Sequence, residues 1–181
     1  MSDGAETEPL WIFGYGSLVW RPAFEHEVRH PGFIVGWTRR LWQHSTDHRG
    51  VVGAPGRVAT LVPQSGAQCW GMAYRVAAAQ RQAVLGNLDY REKNGYARHT
   101  VAVTLASQGR VDALVYIATD ENPDFAGPAD LDAIAAQVMR SHGPSGANTE
   151  YVLALADALS EMGASDPHIT EVARRVRPKD G

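Results

Sequence analysis

Cysteine is almost missing from this chain, since Cys69 is the only one among 181 residues. A lone cysteine cannot form an intramolecular disulfide. Residues 69–76 alternate between apolar positions on one face and smaller or polar ones on the other, which is typical of a strand. We therefore expect Cys69 to be a half-buried strand thiol and not a nucleophile.

An excess of positive charge and long apolar stretches are also missing. The formal net charge is -3 and the pI is about 6.1, whereas a nucleic-acid-binding protein is expected to present a basic face. No apolar stretch is long enough to cross a bilayer, and residues 1–8 are acidic and polar, unlike a secretory signal peptide. We expect a cytoplasmic protein with no nucleic-acid or membrane partner, and the sequence predicts no protein partner.

Several familiar site motifs are incomplete. Gly14 and Gly16 follow an apolar run, but the third glycine of a dinucleotide-binding fingerprint is missing and no Gly-Lys-Ser/Thr follows. Ser17 has no Gly-x-Ser-x-Gly frame, which argues against a serine hydrolase. His44 and His48 flank Asp47 at a spacing that metal ligands could use. No second ligand pair follows and arginines surround them, so we expect no metal site.

The most informative segment that is present is residues 11–20, where a short apolar strand candidate leads into a Gly-Tyr-Gly-Ser sequence. Glycine allows a ligand to approach the main chain, so Gly14 and Gly16 predict a turn with exposed backbone N–H groups. Such groups can hold a carboxylate or a developing oxyanion. A plain turn without a function remains the alternative.

A second segment places a carboxyl group at the end of a helix. Residues 77–88 predict a helix, and Asn94-Gly95 is a stop and turn signal. Glu92 would then lie at or just past the helix C-terminus, where the partial negative charge and nearby Asp89 both raise the pKa of its carboxyl. A solvated, charged helix end is the alternative.

Two further segments are rich in polar groups. Residues 39–50 carry many hydrogen-bonding side chains directly after an apolar stretch, and residues 143–151 form a loop that leads into a helix. Asn148 or Thr149 can cap that helix.

The remaining pattern predicts one mixed domain. A hydrophobic content of 44% suits a single core, with a flexible tail at residues 1–9 and one domain from residue 10 to residue 181. The predicted strands are residues 11–13, 32–42, 57–63, 69–76, 99–106 and 111–117, and the predicted helices are residues 77–88, 129–141, 149–162 and 167–176. Strand-rich sequence with helices concentrated at the end indicates the α+β class.

These segments together resemble the ChaC family of glutathione-specific γ-glutamylcyclotransferases. The similarity covers residues 10–159 and is carried by separate blocks at residues 13–18, 39–40, 45–50, 55–58, 70–71, 88–93, 120–124, 143–146 and 148–151. Two residues depart from the family pattern: His44 and Asn94 both stand where the family commonly has glycine. The resemblance implies a small mixed, barrel-like sheet with surrounding helices.

The resemblance also implies a reaction and a set of site residues. The family cleaves glutathione into 5-oxoproline and Cys-Gly, with neither cofactor nor metal. It implies that Glu92 is the general base and then the general acid. The main chain of Gly14, Tyr15, Gly16, Ser17, Leu18 and Val19 is expected to form a cradle for the γ-glutamyl group. The side chains of Tyr15, Tyr96 and Tyr151 are expected to form walls of the pocket. Arg39 and Arg40 are the candidates for binding the glycyl carboxylate. One of the two arginines is expected to make a structural ion pair instead.

Two alternatives stay open at this point. One is a cyclotransferase of broader specificity, acting on other γ-glutamyl amines or dipeptides, which would not need the polar segment 39–50. The other is a non-catalytic binding protein on the same scaffold, which would be expected to lack a carboxylate at the position of Glu92.

Overall fold

The structure, a computed structural model, describes residues 8–107 and 109–178. Its main feature is a closed barrel of five strands: β1 (Leu10–Gly14), β2 (Val28–Ser45), β3 (Gly56–Val76), β4 (Ala97–Leu105) and β5 (Gly109–Ile117). The order around the barrel is β1-β3-β2-β4-β5. Neighbouring strands are antiparallel except β1 and β5, which close the barrel in parallel. The predicted mixed, barrel-like sheet is confirmed.

A long hairpin of β2 and β3 forms much of this barrel. Two separate strands, residues 57–63 and 69–76, were expected where β3 lies. The residues between them form an irregularity within one strand instead: Val35 pairs with Gln68 and Trp37 with Pro63, so β3 has more residues than β2 at this point. Such bulges bend a strand without ending its pairing.

Four α-helices lie outside the barrel in the described residues: α1 (Arg81–Arg91), α2 (Leu131–Arg140), α3 (Asn148–Glu161) and α4 (Pro167–Val176). Helices α2, α3 and α4 pack together over the larger apolar core, whereas Val84 and Leu88 of α1 pack in a smaller cluster with β1 and β5. A two-stranded ribbon of β6 (His142–Gly143) and β7 (Gly146–Ala147) lies between α2 and α3. The helices thus do not cover one end of the barrel, and the loops that follow β1, β2 and α1 lie at that end.

Neither residue proposed as the cap of α3 has that role. Position Ala147 is the N-cap, and no side chain bonds to the orphan N–H groups there. The fully buried Asn148 instead donates to the Arg57 carbonyl at 2.8 Å and accepts from the Arg57 N–H at 2.7 Å. It therefore joins α3 to the start of β3.

Residues 1–7 of the predicted tail and residues 179–181 of the predicted domain lie outside the described residues. Within the part of the chain that the structure describes, no helix is both long and apolar enough to cross a membrane.

Candidate active site

A concave pocket opens at the end of the barrel where three predicted segments meet. Its lining includes residues 13–18 from β1 and the turn after it, residues 43–49 from the end of β2, and Glu92 and Tyr96 beyond the end of α1. Tyr151 contributes from α3. The chain folds so that segments far apart in the sequence, each singled out for its polar or glycine content, line one pocket.

At Gly14 and Gly16, the main chain of the Gly-Tyr-Gly turn lies too close to neighbouring atoms for a residue with a side chain. A Cβ atom at Gly14 would lie 2.5 Å from the Leu18 Cβ, and one at Gly16 would lie 3.0 Å from the Tyr151 hydroxyl oxygen. The main chain then enters a single 3₁₀ turn over Ser17–Val19. Gly14, Tyr15, Gly16, Ser17 and Leu18 all line the pocket, so this turn forms one part of its wall.

Glu92 lies where the helix signal places it, as the C-cap of α1. Its side chain is 19% exposed, and burial raises the pKa of its carboxyl above the usual value. The Arg91 guanidinium, 3.7 Å away, works against that rise. A carboxyl with a raised pKa is suited to accepting and returning a proton near neutral pH.

The carboxylate that helps to raise this pKa is Asp47 and not Asp89. The Asp47 charge, from the turn after β2, favours the neutral form of Glu92. Asp89 is engaged elsewhere: it accepts from Arg98 Nε at 2.7 Å and from the Tyr116 hydroxyl at 2.6 Å. The sequence argument was therefore right that a like charge raises the pKa of Glu92, but it named Asp89 where the structure has Asp47. Burial is the largest cause of the raised pKa.

Three tyrosines form neutral walls around Glu92. Tyr15 donates to the Tyr116 carbonyl at 2.7 Å, and the Tyr151 hydroxyl accepts from the Ala59 N–H at 3.0 Å. Burial raises the pKa of Tyr15, Tyr96 and Tyr151 above the ordinary phenol value, so all three stay protonated. All three line the pocket, as expected of pocket walls.

Arg39 does not line the pocket, because its side chain is fully buried in the protein interior. It donates to Asp166 Oδ2 at 2.7 Å and to the Tyr15 carbonyl at 2.8 Å, and it also contacts the Trp70 carbonyl. Arg39 is thus the arginine of the structural ion pair, and the structure does not place it in the pocket, where the role at the glycyl carboxylate would require it. It still holds the Gly-Tyr-Gly turn from behind through the Tyr15 carbonyl.

Arg40 and Val19 also lie outside the pocket lining. Arg40 donates to Thr38 Oγ1 and to the Arg39 carbonyl, both at 2.8 Å, and its guanidinium lies over the Trp42 ring. Val19 is 2% exposed and belongs to the apolar core. Adjacent residues on a strand face opposite sides, so the two neighbouring arginines could not both face one ligand.

The pocket is also formed by side chains for which the sequence had predicted no role. Arg91 donates to Ser17 Oγ at 2.5 Å and so connects the end of α1 to the glycine turn. Gln43, Arg49 and Arg21 also line the pocket. Arg91 and Arg49 stood inside recognised blocks, but nothing in a linear pattern indicates which charged side chain of a block faces the pocket.

The two departures from the family pattern lie at the pocket as well. Burial and the nearby Arg57 lower the pKa of His44, which favours its neutral form. Asn94 does not adopt a left-handed backbone, whereas the adjacent Gly95 has that conformation with φ +87°. The Asn94 side chain instead donates to Asp47 Oδ2 at 2.7 Å.

This arrangement can bind anions and move one proton. Arg21, Arg49 and Arg91 supply positive charge, main-chain groups of the glycine turn are close by, and Glu92 is the half-buried carboxyl. Among the described residues, no group of three or more His, Cys, Asp or Glu side chains is placed to hold a metal ion. Cys69 is 3% exposed and burial raises the pKa of its thiol, so it has the properties of a core residue.

Sequence comparisons identify the relatives of this chain. A family model described as ChaC-like protein matches residues 10–179. Glutathione-specific gamma-glutamylcyclotransferase 1 of Homo sapiens is 41% identical over 187 residues, covering 97% of this chain and 81% of the relative. The glutathione-specific gamma-glutamylcyclotransferase of Schizosaccharomyces pombe is 37% identical and covers 93% of this chain and 92% of its own.

Solved structures share the fold. A crystal structure of the yeast gamma-glutamyl cyclotransferase specific to glutathione superimposes with a TM-score of 0.87 at 32% identity, over 93% of this chain and 95% of that one. A more distant gamma-glutamyl cyclotransferase, 15% identical with a TM-score of 0.57 over 96% of this chain and 91% of its own, shares the fold alone. The matched residues, the relatives and the barrel together show that this chain belongs to the ChaC-like family.

Proposed function

We propose that this protein cleaves glutathione into 5-oxoproline and Cys-Gly, with Glu92 as the acid and base. The observation that carries the proposal is the half-buried carboxyl of Glu92 in the same pocket as the main chain of the glycine turn. The names of the closely similar relatives support glutathione as the substrate. A cytoplasmic location stays a prediction.

The reaction needs no external nucleophile. The α-amine of the glutamyl group attacks its own γ-carbonyl carbon, so a C–N bond forms within a five-membered ring and the bond to the Cys-Gly nitrogen breaks. Holding the chain folded for this attack removes much of the entropic barrier, up to about 7–11 kcal/mol in well-oriented intramolecular reactions. The pocket must therefore enforce one bent conformation of the γ-glutamyl group.

Glu92 handles both proton transfers. Its carboxylate accepts the proton that the α-ammonium group must lose before attack. The resulting carboxylic acid returns that proton to the departing amine of Cys-Gly, and the ring nitrogen releases its second proton to solvent as the lactam forms. One group can perform both steps when its pKa lies near the working pH, and burial of Glu92 raises its pKa in that direction.

The remaining pocket residues have complementary roles in this proposal. Backbone N–H groups within residues 14–18 are candidates for the oxyanion that develops on the γ-carbonyl oxygen. Positive charge from Arg91 and Arg49 complements the substrate carboxylates, since guanidinium groups pair with carboxylates. Tyr15, Tyr96 and Tyr151 enclose the γ-glutamyl chain without adding charge.

A blocked substrate tests this chemistry. Purified protein incubated with glutathione should form 5-oxoproline and Cys-Gly in equal amounts. Glutathione acetylated on its α-amine should not be cleaved, because its nitrogen can no longer attack. Cleavage of the acetylated peptide at a comparable rate would contradict cyclisation.

The broader-specificity alternative predicts a different substrate profile. Residues 43–49 line the pocket and offer more polar groups than the γ-glutamyl portion needs. A charge-assisted contact to the glycine carboxylate is worth about 1.5–3 kcal/mol, so kcat/KM for glutathione should exceed that for γ-Glu-Cys by about 10–150-fold. Equal values of kcat/KM for the two peptides would favour the broader cyclotransferase.

A further inference from the structure

The Asn122 side chain lies between the Glu92 turn and the pocket wall. Asn122 is 6% exposed and follows β5. Its Nδ2 donates to the Asn94 carbonyl at 2.8 Å, and its Oδ1 accepts from the Asp124 N–H at 2.9 Å and from Gln43 Nε2 at 3.1 Å. Three separate segments of the chain are therefore held by one amide.

The orientation of this amide is fixed by its backbone partners. A backbone N–H can only donate and a carbonyl can only accept, so Asp124 and Asn94 require Oδ1 on one side and Nδ2 on the other. Gln43 must then donate through its own nitrogen. Within the described residues, the Gln43 Oε1 has no partner, so the contact with Asn122 is what orients this pocket-lining side chain.

The same amide fills the space beneath the turn that carries Glu92. Gly95 has φ +87°, and a Cβ atom there would lie 2.6 Å from Asn122 Nδ2. The turn is thus closed on one side by Asn122 and on the other by the bond from Asn94 Nδ2 to Asp47. Without Asn122 the turn after α1 would lose its link to the residues that follow β5.

We propose that Asn122 is a positioning residue for the acid and base: it holds the turn of residues 92–95 and the Gln43 side chain in one register, so that Glu92 faces the substrate. The inference rests on the proposed function, in which Glu92 moves the protons. Asn122 acts through geometry, since displacement of a reacting group by about 1 Å can lower a rate about 100-fold. Neither amide atom of Asn122 has to touch the substrate.

The pH profile of kcat reports the surroundings of Glu92. The groups that face it are Arg91 on its own helix, Asp47 from the turn after β2, and the neutral Tyr15, Tyr96 and Tyr116. Burial keeps the pKa of Glu92 raised. A loosened turn would admit water and lower that pKa, so the acid limb of kcat would move to lower pH.

The test compares Asn122→Ala with Thr60→Val in the full-length protein. Thr60 is also buried, and its hydroxyl donates to the Ala118 carbonyl at 2.7 Å without lining the pocket. Asn122→Ala should lower kcat about 10–100-fold and move the acid limb to lower pH, with a smaller change in KM. Thr60→Val should lose thermal stability yet keep the wild-type kcat and pH profile.

A second variant covers the case in which Asn122→Ala does not fold. Asn122→Asp keeps the acceptor for Asp124 and Gln43 but replaces the donor to the Asn94 carbonyl, and kcat should still fall about tenfold. If Glu92→Gln is inactive while the Asn122 variants keep kcat and the acid limb, the positioning role is wrong and the proposed function stands. If Glu92→Gln is active, the proton-transfer role fails first and the inference fails with it.

Discussion

The Glu92→Gln protein should fold normally and lose nearly all turnover, by about 10²–10⁴-fold, which is the usual effect of removing one positioned acid or base. The amide is nearly isosteric with the carboxyl but can neither accept the proton of the α-ammonium group nor return one to the leaving amine. Because Glu92 caps α1 through its backbone N–H to the Leu88 carbonyl, the fold does not depend on the carboxyl. Single-turnover and steady-state formation of Cys-Gly both measure the loss.

Glu161→Gln is the matched control for this experiment. Glu161 is also a carboxyl at the end of a helix, α3, but it is exposed and lies outside the pocket lining. Its turnover should equal that of the unmodified protein. A Glu92→Gln protein whose kcat remains within a few-fold of the control would remove Glu92 from the mechanism.

Asp166→Ala should strongly destabilise the protein, because Asp166 is the carboxylate partner of the buried Arg39. The Asp166 side chain is 15% exposed, whereas its partner Arg39 is fully buried. Removing one member of such a pair leaves an uncompensated buried charge, which costs about 3–5 kcal/mol in the free energy of unfolding. For a domain of this size, Tm should fall by about 6–20 °C, measured by circular dichroism.

Two further variants separate the parts of this effect. Asp166 also accepts from the Ile169 N–H at 3.1 Å and so caps α4. Asp166→Asn keeps a capping oxygen but loses the charge, and it should therefore destabilise less than Asp166→Ala. Asp132→Ala removes one of the two carboxylate partners of Arg175, the other being Glu171. The Asp132 side chain is 89% exposed, and an ion pair at such a site contributes about 0–1 kcal/mol. Equal Tm losses for Asp132→Ala and Asp166→Ala would contradict the importance of burial.

The position of Glu92 was predictable because local rules define it. Helical periodicity and the Asn94-Gly95 stop place Glu92 at the end of α1, and the structure has it as the C-cap. The glycine turn was predictable for a similar reason, since a strand followed by two close glycines is a local pattern. The resemblance to the ChaC family, and not these local patterns, placed the main chain of residues 14–19 and the carboxyl in one predicted site.

The partner of each charged residue could not be predicted in the same way. Arg39 and Asp166 lie 127 positions apart, and Asp47 reaches Glu92 from another strand end. Two register irregularities in the β2–β3 hairpin also decide which side chains near its end face the pocket. Contacts of this kind depend on strand register and on helix docking, which the pattern of a single segment does not determine.

The most direct test of the account is the fate of the glutamyl group when the reaction runs in water labelled with heavy oxygen. Attack by the substrate's own amine uses no water, so the protein should release 5-oxoproline that carries no label, together with an equal amount of Cys-Gly. Hydrolysis would release free glutamate with labelled oxygen in its γ-carboxyl group. Labelled glutamate as the first product would contradict the proposed cyclisation.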